Sequence, residues 1–247
     1  MMEQKIDQIV AWLQTQVKQA NVKGLLVGLS GGLDSAVVAN LIKRACPDNS
    51  LAVIMPIQSN PADMEDANKT VKSCGIHYMN VDLTATHDLL YQTITTEIKQ
   101  DNAWNEEQDR ISDANLRARL RMSTLYTIAT NHQYLVVGTD NAAEWYTGYF
   151  TKYGDGAVDI QPIINFTKQE VQEMAKILQV PDSVIYKQPS ADLWEGQTDE
   201  EEMGTTYEYI DAHLKGKEIP KEHRKTIENL HQRTAHKRNI STQFRLK

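Results

Sequence analysis

The chain has 247 residues, 40% hydrophobic and 24% charged, the composition of a folded globular protein and not of a disordered one. Its formal net charge of −7 argues against general nucleic-acid binding, and no apolar run reaches the ~18 residues that would cross a bilayer, so neither nucleic acid nor membrane is an expected partner. Two cysteines, Cys46 and Cys74, give neither a disulfide framework nor a metal-ligand spacing, and a reducing, cytoplasmic setting is expected.

In chain order, Ile6, Ile9, Val10, Leu13 and Val17 recur at helical spacing and predict an amphipathic helix over 3–19. The opening MMEQKIDQIV carries acids and lacks the apolar segment of a signal peptide. Strands are expected at 24–29 (GLLVGL), 51–56 (LAVIMP), 76–81 (IHYMNV) and 134–138 (YLVVG). Each is short and almost continuously apolar, as in a parallel sheet covered on both faces. Helical stretches at 34–45, 61–74, 84–100 and 113–131 separate them. This alternation predicts an α/β fold, a doubly wound, mainly parallel Rossmann-like sheet with helices on both faces. No repeat or linker interrupts it, so residues 1–247 read as one domain. Ligands of such sheets sit beyond the carboxyl ends of the strands, where strand order reverses. GLSGGLDSA (28–36) follows the first strand and GTDNAAE (138–144) the fourth, so both are expected to face one crevice.

Further along, a helix opens at 167. The stretch DLWEGQTDEEEMG (192–204) is acidic and weakly periodic, a mobile loop over about 192–205 suited to a lid. Pro220 opens a last helix over 220–235. The basic C-terminal segment 213–247 holds ten Lys or Arg against three Glu, leaving the rest of the chain at −14. Such a tail suits either a solvated helix face or contact with an anionic ligand.

GLSGGLDSA raises the main chemical question. Paired glycines at a strand-to-helix junction let backbone N–H groups approach a ligand closely, and phosphate at a helix N-terminus is the common one. The loop has no Walker lysine, no G-x-G-x-x-G spacing, and no third glycine to make Ser30 the nucleophile of a G-x-S-x-G elbow. On the helix over 113–131, Leu116, Leu120, Ser123 and Thr127 mark one face. Arg117 and Arg121 fall outside that face and are expected in solvent; Arg119 borders it and is expected to point inward.

SGGLDS resembles the pyrophosphate loop of the N-type ATP pyrophosphatases, the adenine nucleotide alpha hydrolase type of fold, in which ATP is split between its α and β phosphates. Four further stretches narrow this: NLRARLRM (115–122), GYFTKYGDGAVD (148–159), PSADLWEGQTDEEEMGTTYEYID (189–211) and HKR (236–238). With GTDNAAE they make nearly the whole chain from residue 24 similar to the ammonia-dependent NAD synthetases. The resemblance implies adenylation of deamido-NAD by ATP, then displacement of AMP by ammonia to give NAD. It implies that Gly28, Leu29, Ser30, Gly31, Gly32, Leu33, Asp34 and Ser35, with Thr139, Lys168 and Ser190, bind ATP. Asp34 and Glu144 would hold Mg²⁺, a hard cation that takes one or two carboxylates beside phosphate oxygens. Arg119, Lys152, Asp159, His236 and Lys237 would bind deamido-NAD, with Asp34, Lys168 and Asp159 carrying the chemistry. Because Asp159 is itself an anion, a place near the amide nitrogen or the incoming ammonia suits it better than one beside phosphate. Lys168 answers the missing Walker lysine, and Asp140 stands where many relatives have Gly.

Glutamine-using relatives carry an added amidase domain with a reactive cysteine. Only 23 residues precede the first strand, and Cys46 and Cys74 have no evident activating base, so free ammonia is the expected nitrogen donor. The family implies a homodimer, for which the first helix and those over 84–131 could supply surface. Two rivals remain: another adenylating amide ligase or thiolase of the superfamily, and a non-catalytic ATP-binding module.

Overall fold

The structure is a computed structural model that describes residues 1–189, 198–239, 241 and 244. Its first part alternates: α1 (Met2–Gln19), β1 (Gly24–Gly28), α2 (Leu33–Ala45), β2 (Ser50–Ile54), α3 (Pro61–Cys74), β3 (His77–Asn80), α4 (Thr84–Gln100), α5 (Asp109–His132) and β4 (Tyr134–Val137). Among the described residues six α-helices follow: α6 (Ala142–Thr147), α7 (Lys168–Ile177), α8 (Asp182–Ile185), α9 (Asp199–Met203), α10 (Tyr207–Leu214) and α11 (Lys221–Arg233). Each expected strand and helix is present, with ends shifted by a few residues.

The four strands form one parallel sheet in the order β3-β2-β1-β4. The chain winds outward from β1 through β2 to β3, then crosses to the other side of β1 for β4. The reversal therefore falls between β1 and β4, and the loops leaving these two strands are neighbours across it. One face of the sheet packs on α1, α2 and α7, with Ile6, Leu13, Leu25, Val27, Leu41, Ile42 and Met174 fully enclosed. The other face packs on α5 around Leu26, Val53, Val136 and Ala129. A third, smaller cluster joins α6, α10 and α11 through Ala143, Tyr207, Ile210 and Ile227, with Met203 at the end of α9.

Three expectations are corrected. β3 is not covered on both faces: it is the edge strand, and all four of its residues are exposed. The apolar stripe of α1 is core, since Ile6, Ile9 and Leu13 are buried against the sheet side that α2 and α7 share, and so it is not available as a subunit surface. The acidic stretch is not loop throughout, because Thr198 caps α9 and accepts from the Glu201 N–H at 3.4 Å. Residues 190–197, which include the first part of the expected lid, lie outside the described residues. Cys46 and Cys74 pack at the margin of the α1–α2 core, where burial pushes both thiols up and away from reactivity. Among the described residues no helix is long and apolar enough to cross a membrane.

Candidate functional site

The glycine loop after β1 is folded back on itself by its two serines. Ser35 Oγ lies 3.1 Å from Ser30 Oγ and donates to the Gly32 carbonyl at 3.0 Å, while the Gly32 N–H donates to Ser30 Oγ at 3.2 Å. Gly31 has φ +88°, and a Cβ there would stand 2.2 Å from the Asp63 carbonyl oxygen, so only glycine fits. Gly32 is the N-cap of α2 and offers no side chain to it. The first N–H groups of this 13-residue helix are thus left for an outside acceptor, beside the positive end of its dipole.

Asp34, in the first turn of α2, faces the loop after β4. Asn141 Nδ2 donates to Asp34 Oδ1 at 3.0 Å, and the Asn141 carboxamide oxygen also caps α6, accepting from the N–H groups of Ala143 and Glu144. Glu144 returns the contact in a capping box, its Oε2 accepting from the Asn141 N–H at 3.0 Å. Its Oε1 points the other way, to Tyr207 Oη at 3.0 Å and Lys168 Nζ at 3.4 Å. Lys168 Nζ also donates to Asp34 Oδ2 at 2.5 Å, so one ammonium lies between the two carboxylates. All three side chains are 13–15% exposed.

Charge follows from this arrangement. Burial, and next the Asp34 charge, push Glu144 up to about 7 against the pull of Lys168. Burial works against the Lys168 ammonium, but Asp34 and Glu144 outweigh it and hold the amine firmly protonated. Lys168 stands at the first position of α7 because Thr167 caps that helix in a second capping box. Its N–H and that of Gln169 donate to the buried carboxylate of Asp211 on α10. Tyr207, one turn earlier on α10, reaches both Glu144 and Asp199 Oδ2 at 2.9 Å. One face of α10 therefore fixes both Lys168 and Glu144.

A second group lies around 148–156. Lys152 Nζ donates to the His236 carbonyl at 2.6 Å, and Lys237 Nζ to the carbonyls of Gly148 and Phe150. Arg119 reaches the Lys152 carbonyl at 3.4 Å. The basic tail is thus pinned to the YFTKYGDG segment, which brings Arg119, Lys152, Lys237 and the backbone of His236 together. Asp159 has other partners, Oδ2 accepting from the Val136 N–H at 2.8 Å and Oδ1 from Tyr126 Oη at 3.2 Å. Thr139 sits part-exposed at the end of β4, and Ser190 lies outside the described residues.

The expected arginine orientations are reversed. Arg119 is exposed, whereas Arg117 donates to Asp113 and to the Ile57 carbonyl, and Arg121 to the Met55 carbonyl. The cause is that α5 packs on the sheet through buried Ala129 with part-buried Leu120, Leu125, Tyr126 and Ile128, while Ser123 and Thr127 of the expected face are exposed. The carbonyls leaving β2 need donors, and the two arginines one turn apart supply them.

Three site residues gave no separate signal in the sequence, Asn141, Asp199 and Tyr207, and Asp140 stood out only as a departure from the Gly of many relatives. Asn141 was findable, because N-x-x-E ahead of a helix is a capping-box pattern. Asp140 is 5% exposed, its Oδ2 has no hydrogen-bond partner, and burial holds it well above the usual carboxylate range. Two carboxylates converging on a lysine ammonium form an oxygen-donor set that suits a hard divalent cation, particularly Mg²⁺, which needs only one or two protein carboxylates.

The model of the NAD synthase family matches residues 5–241. The chain is similar to the NH(3)-dependent NAD(+) synthetase of Alkaliphilus oremlandii, 56% identical over 238 residues, covering 96% of this chain and 95% of that one. Among solved structures it is similar to the NMN synthetase from Francisella tularensis, with TM-score 0.91 and 36% identity over 100% and 99% of the two chains. It is also similar to the NH3-dependent NAD synthetase from Campylobacter jejuni in complex with the nitrate ion, with TM-score 0.79 and 30% identity over 99% of both.

Asn141 bears on stability whatever the reaction. Asn141→Ala removes a helix cap and the donor to Asp34, and a urea melt is expected to show a loss of ~1–3 kcal/mol. Asn141→Ser keeps a capping oxygen and is expected to recover about half of it. A loss below ~0.5 kcal/mol for Asn141→Ala would contradict the capping role.

Proposed function

The chain belongs to the NAD synthase family, and from that premise we propose that it is an ammonia-dependent ligase that converts deamido-NAD to NAD at the expense of ATP. The single observation that carries the reading is the convergence of Asp34 and Glu144 beside the free N-terminus of α2. Phosphates would lie on the amides of Gly28–Ser35, with Thr139 and Ser190 also on ATP. Asp34 and Glu144 would hold Mg²⁺, which when bound supplies charge neutralisation at the pyrophosphate leaving group. Lys168 gives up its contact with those carboxylates for phosphate oxygens, so positive charge is in place as the α–β bond breaks.

The nicotinate carboxylate attacks the α phosphorus, pyrophosphate leaves, and the acyl adenylate then takes ammonia and releases AMP. No covalent bond to the protein is needed, and positioning supplies most of the rate. Arg119, Lys152, His236 and Lys237 would receive the anionic parts of deamido-NAD. Their adjacency around 148–156 supports this. Asp159, oriented by Tyr126 and the Val136 N–H, would accept from the amide end of the dinucleotide. Ammonia enters as the free molecule, and two unpaired, part-buried cysteines support a cytoplasmic setting.

The Francisella likeness favours a second reading, in which the mononucleotide acid is amidated in place of the dinucleotide. One assay separates them. With ATP, Mg²⁺ and ammonia, AMP release is expected with deamido-NAD at a kcat/KM above that with the mononucleotide. The opposite order would favour the second reading, and no AMP with either acid would leave a superfamily rival. Asp34→Ala is expected to cost at least ~10²-fold in kcat, the scale of a lost preorganised electrostatic contact. A near-unchanged rate of pyrophosphate release would refute the metal assignment.

The protein would act as a homodimer. α4 buries only His87 among its 17 residues and leaves Leu89 70% exposed, with Leu90 and Ile94 also exposed, and Ile111 at the start of α5 is 57% exposed. Tyr78 and Met79 on the edge strand add to this apolar surface, which a second copy would cover. Light scattering is expected to give the mass of two chains for the wild type and of one for Leu89→Glu with Ile94→Glu. A monomeric wild type would contradict it.

A further inference from the structure

Lys187 lies between α8 and residue 190, far in sequence from the glycine loop, and none of the site residues above uses it. Its ammonium donates to Asp63 and, at 3.1 Å, to Asp66 Oδ2. Both carboxylates belong to the start of α3 and are buried, at 8% and 6% exposure. Asp66 also accepts from Ser183 Oγ on α8 at 2.8 Å and from Lys69 at 3.3 Å. Without Lys187 the two acids would face each other one turn apart, and Asp63 would lose its ion-pair partner.

The consequence reaches the phosphate loop through the main chain. The Asp63 carbonyl is the atom against which Gly31 is pressed, 2.2 Å from where a Cβ would stand, with the Asp63 carbonyl carbon and Cα close behind. Gly31 adopts φ +88° at that contact. The first turn of α3 is therefore one wall of the mould that shapes the loop. The segment before α3 is held by α5, where Arg117 and Arg121 bind the carbonyls of Ile57 and Met55. Lys187 is the cation that holds the α3 end.

Resting on the ATP-binding reading of the glycine loop, we propose that Lys187 is a positioning residue for the triphosphate. By clamping Asp63 and Asp66 it fixes the first turn of α3 against Gly31, and so the amides that receive the β and γ phosphates. On the same reading the loop would meet the β and γ phosphates and not the adenosine and α-phosphate portion. Losing the clamp is therefore expected to weaken ATP and spare AMP.

The test measures binding to the full chain by calorimetry, with a non-hydrolysable ATP analogue plus Mg²⁺ and, separately, AMP. Lys187→Met is expected to bind the analogue at least tenfold more weakly than wild type, with AMP affinity changed less than twofold. Lys187→Arg is expected to recover most of the loss, and Lys187→Gln carries the same expectation as Lys187→Met should that variant not fold. Asp63→Asn with Asp66→Asn separates positioning from direct contact: it is expected to reproduce the loss, whereas a lysine acting on phosphate itself would keep or gain affinity. Unchanged analogue binding in Lys187→Met, an equal loss for AMP, or retained affinity in the double Asn variant would each overturn the proposal. A wild type that binds the analogue no better than AMP is a different failure, that of the glycine-loop reading itself.

Discussion

Two carboxylates from distant parts of the chain, Asp34 and Glu144, face each other in a part-buried crevice, and like charges that close repel strongly where water is scarce. Lys168 resolves the conflict by lying between them. Much of the surrounding structure serves that meeting. The strand order β3-β2-β1-β4 brings the ends of β1 and β4 together, so that the first turns of α2 and α6 converge. Asn141 ties the two helices by capping one and donating to the acid of the other. α10 completes the frame, with Tyr207 on Glu144 and Asp211 on the first amides of α7.

The same logic explains why catalysis here needs no protein nucleophile. The described thiols sit at core margins and are pushed away from ionisation by burial. What the site does offer is charge already in place: free helix amides, two acids suited to a cation, and a lysine held protonated by its neighbours. An adenylation followed by aminolysis draws on such preorganised charge at the leaving group. A second set of cations, around Lys152 and Lys237, is joined to it by the 148–156 segment. That segment packs on α5, with Thr151 donating to Asn115 and a Cβ at Gly154 only 2.9 Å from Ala118.

Local sequence signals carried most of the fold and pointed to the two loops, while the resemblance named the residues within them. Continuous apolar runs named the strands, and glycines with an acid after β1, matched by N-A-A-E after β4, named the two loops. Lys168 came from the resemblance alone, since a lysine in the first turn of a helix is otherwise an ordinary solvated residue. The arginines of α5 were not legible. Their facing is set by unpaired carbonyls at Met55 and Ile57, which periodicity does not register. Lys187 was invisible for a related reason: its partners lie on α3, and nothing local marks a lysine for a buried pair of acids. β3 misled because an edge strand can be as apolar in sequence as a central one, its exposed side chains awaiting some other surface.

If Asp34 and Glu144 together hold the divalent cation that meets the triphosphate, a bound metal must touch both acids at once. Crystals grown with Mn²⁺ and a non-hydrolysable ATP analogue test it through the anomalous signal of the metal. A peak is expected roughly 2.1 Å from oxygens of both carboxylates and of the β or γ phosphate, with Lys168 moved onto phosphate. A peak bound by neither acid, with Lys168 still between them, would contradict the account.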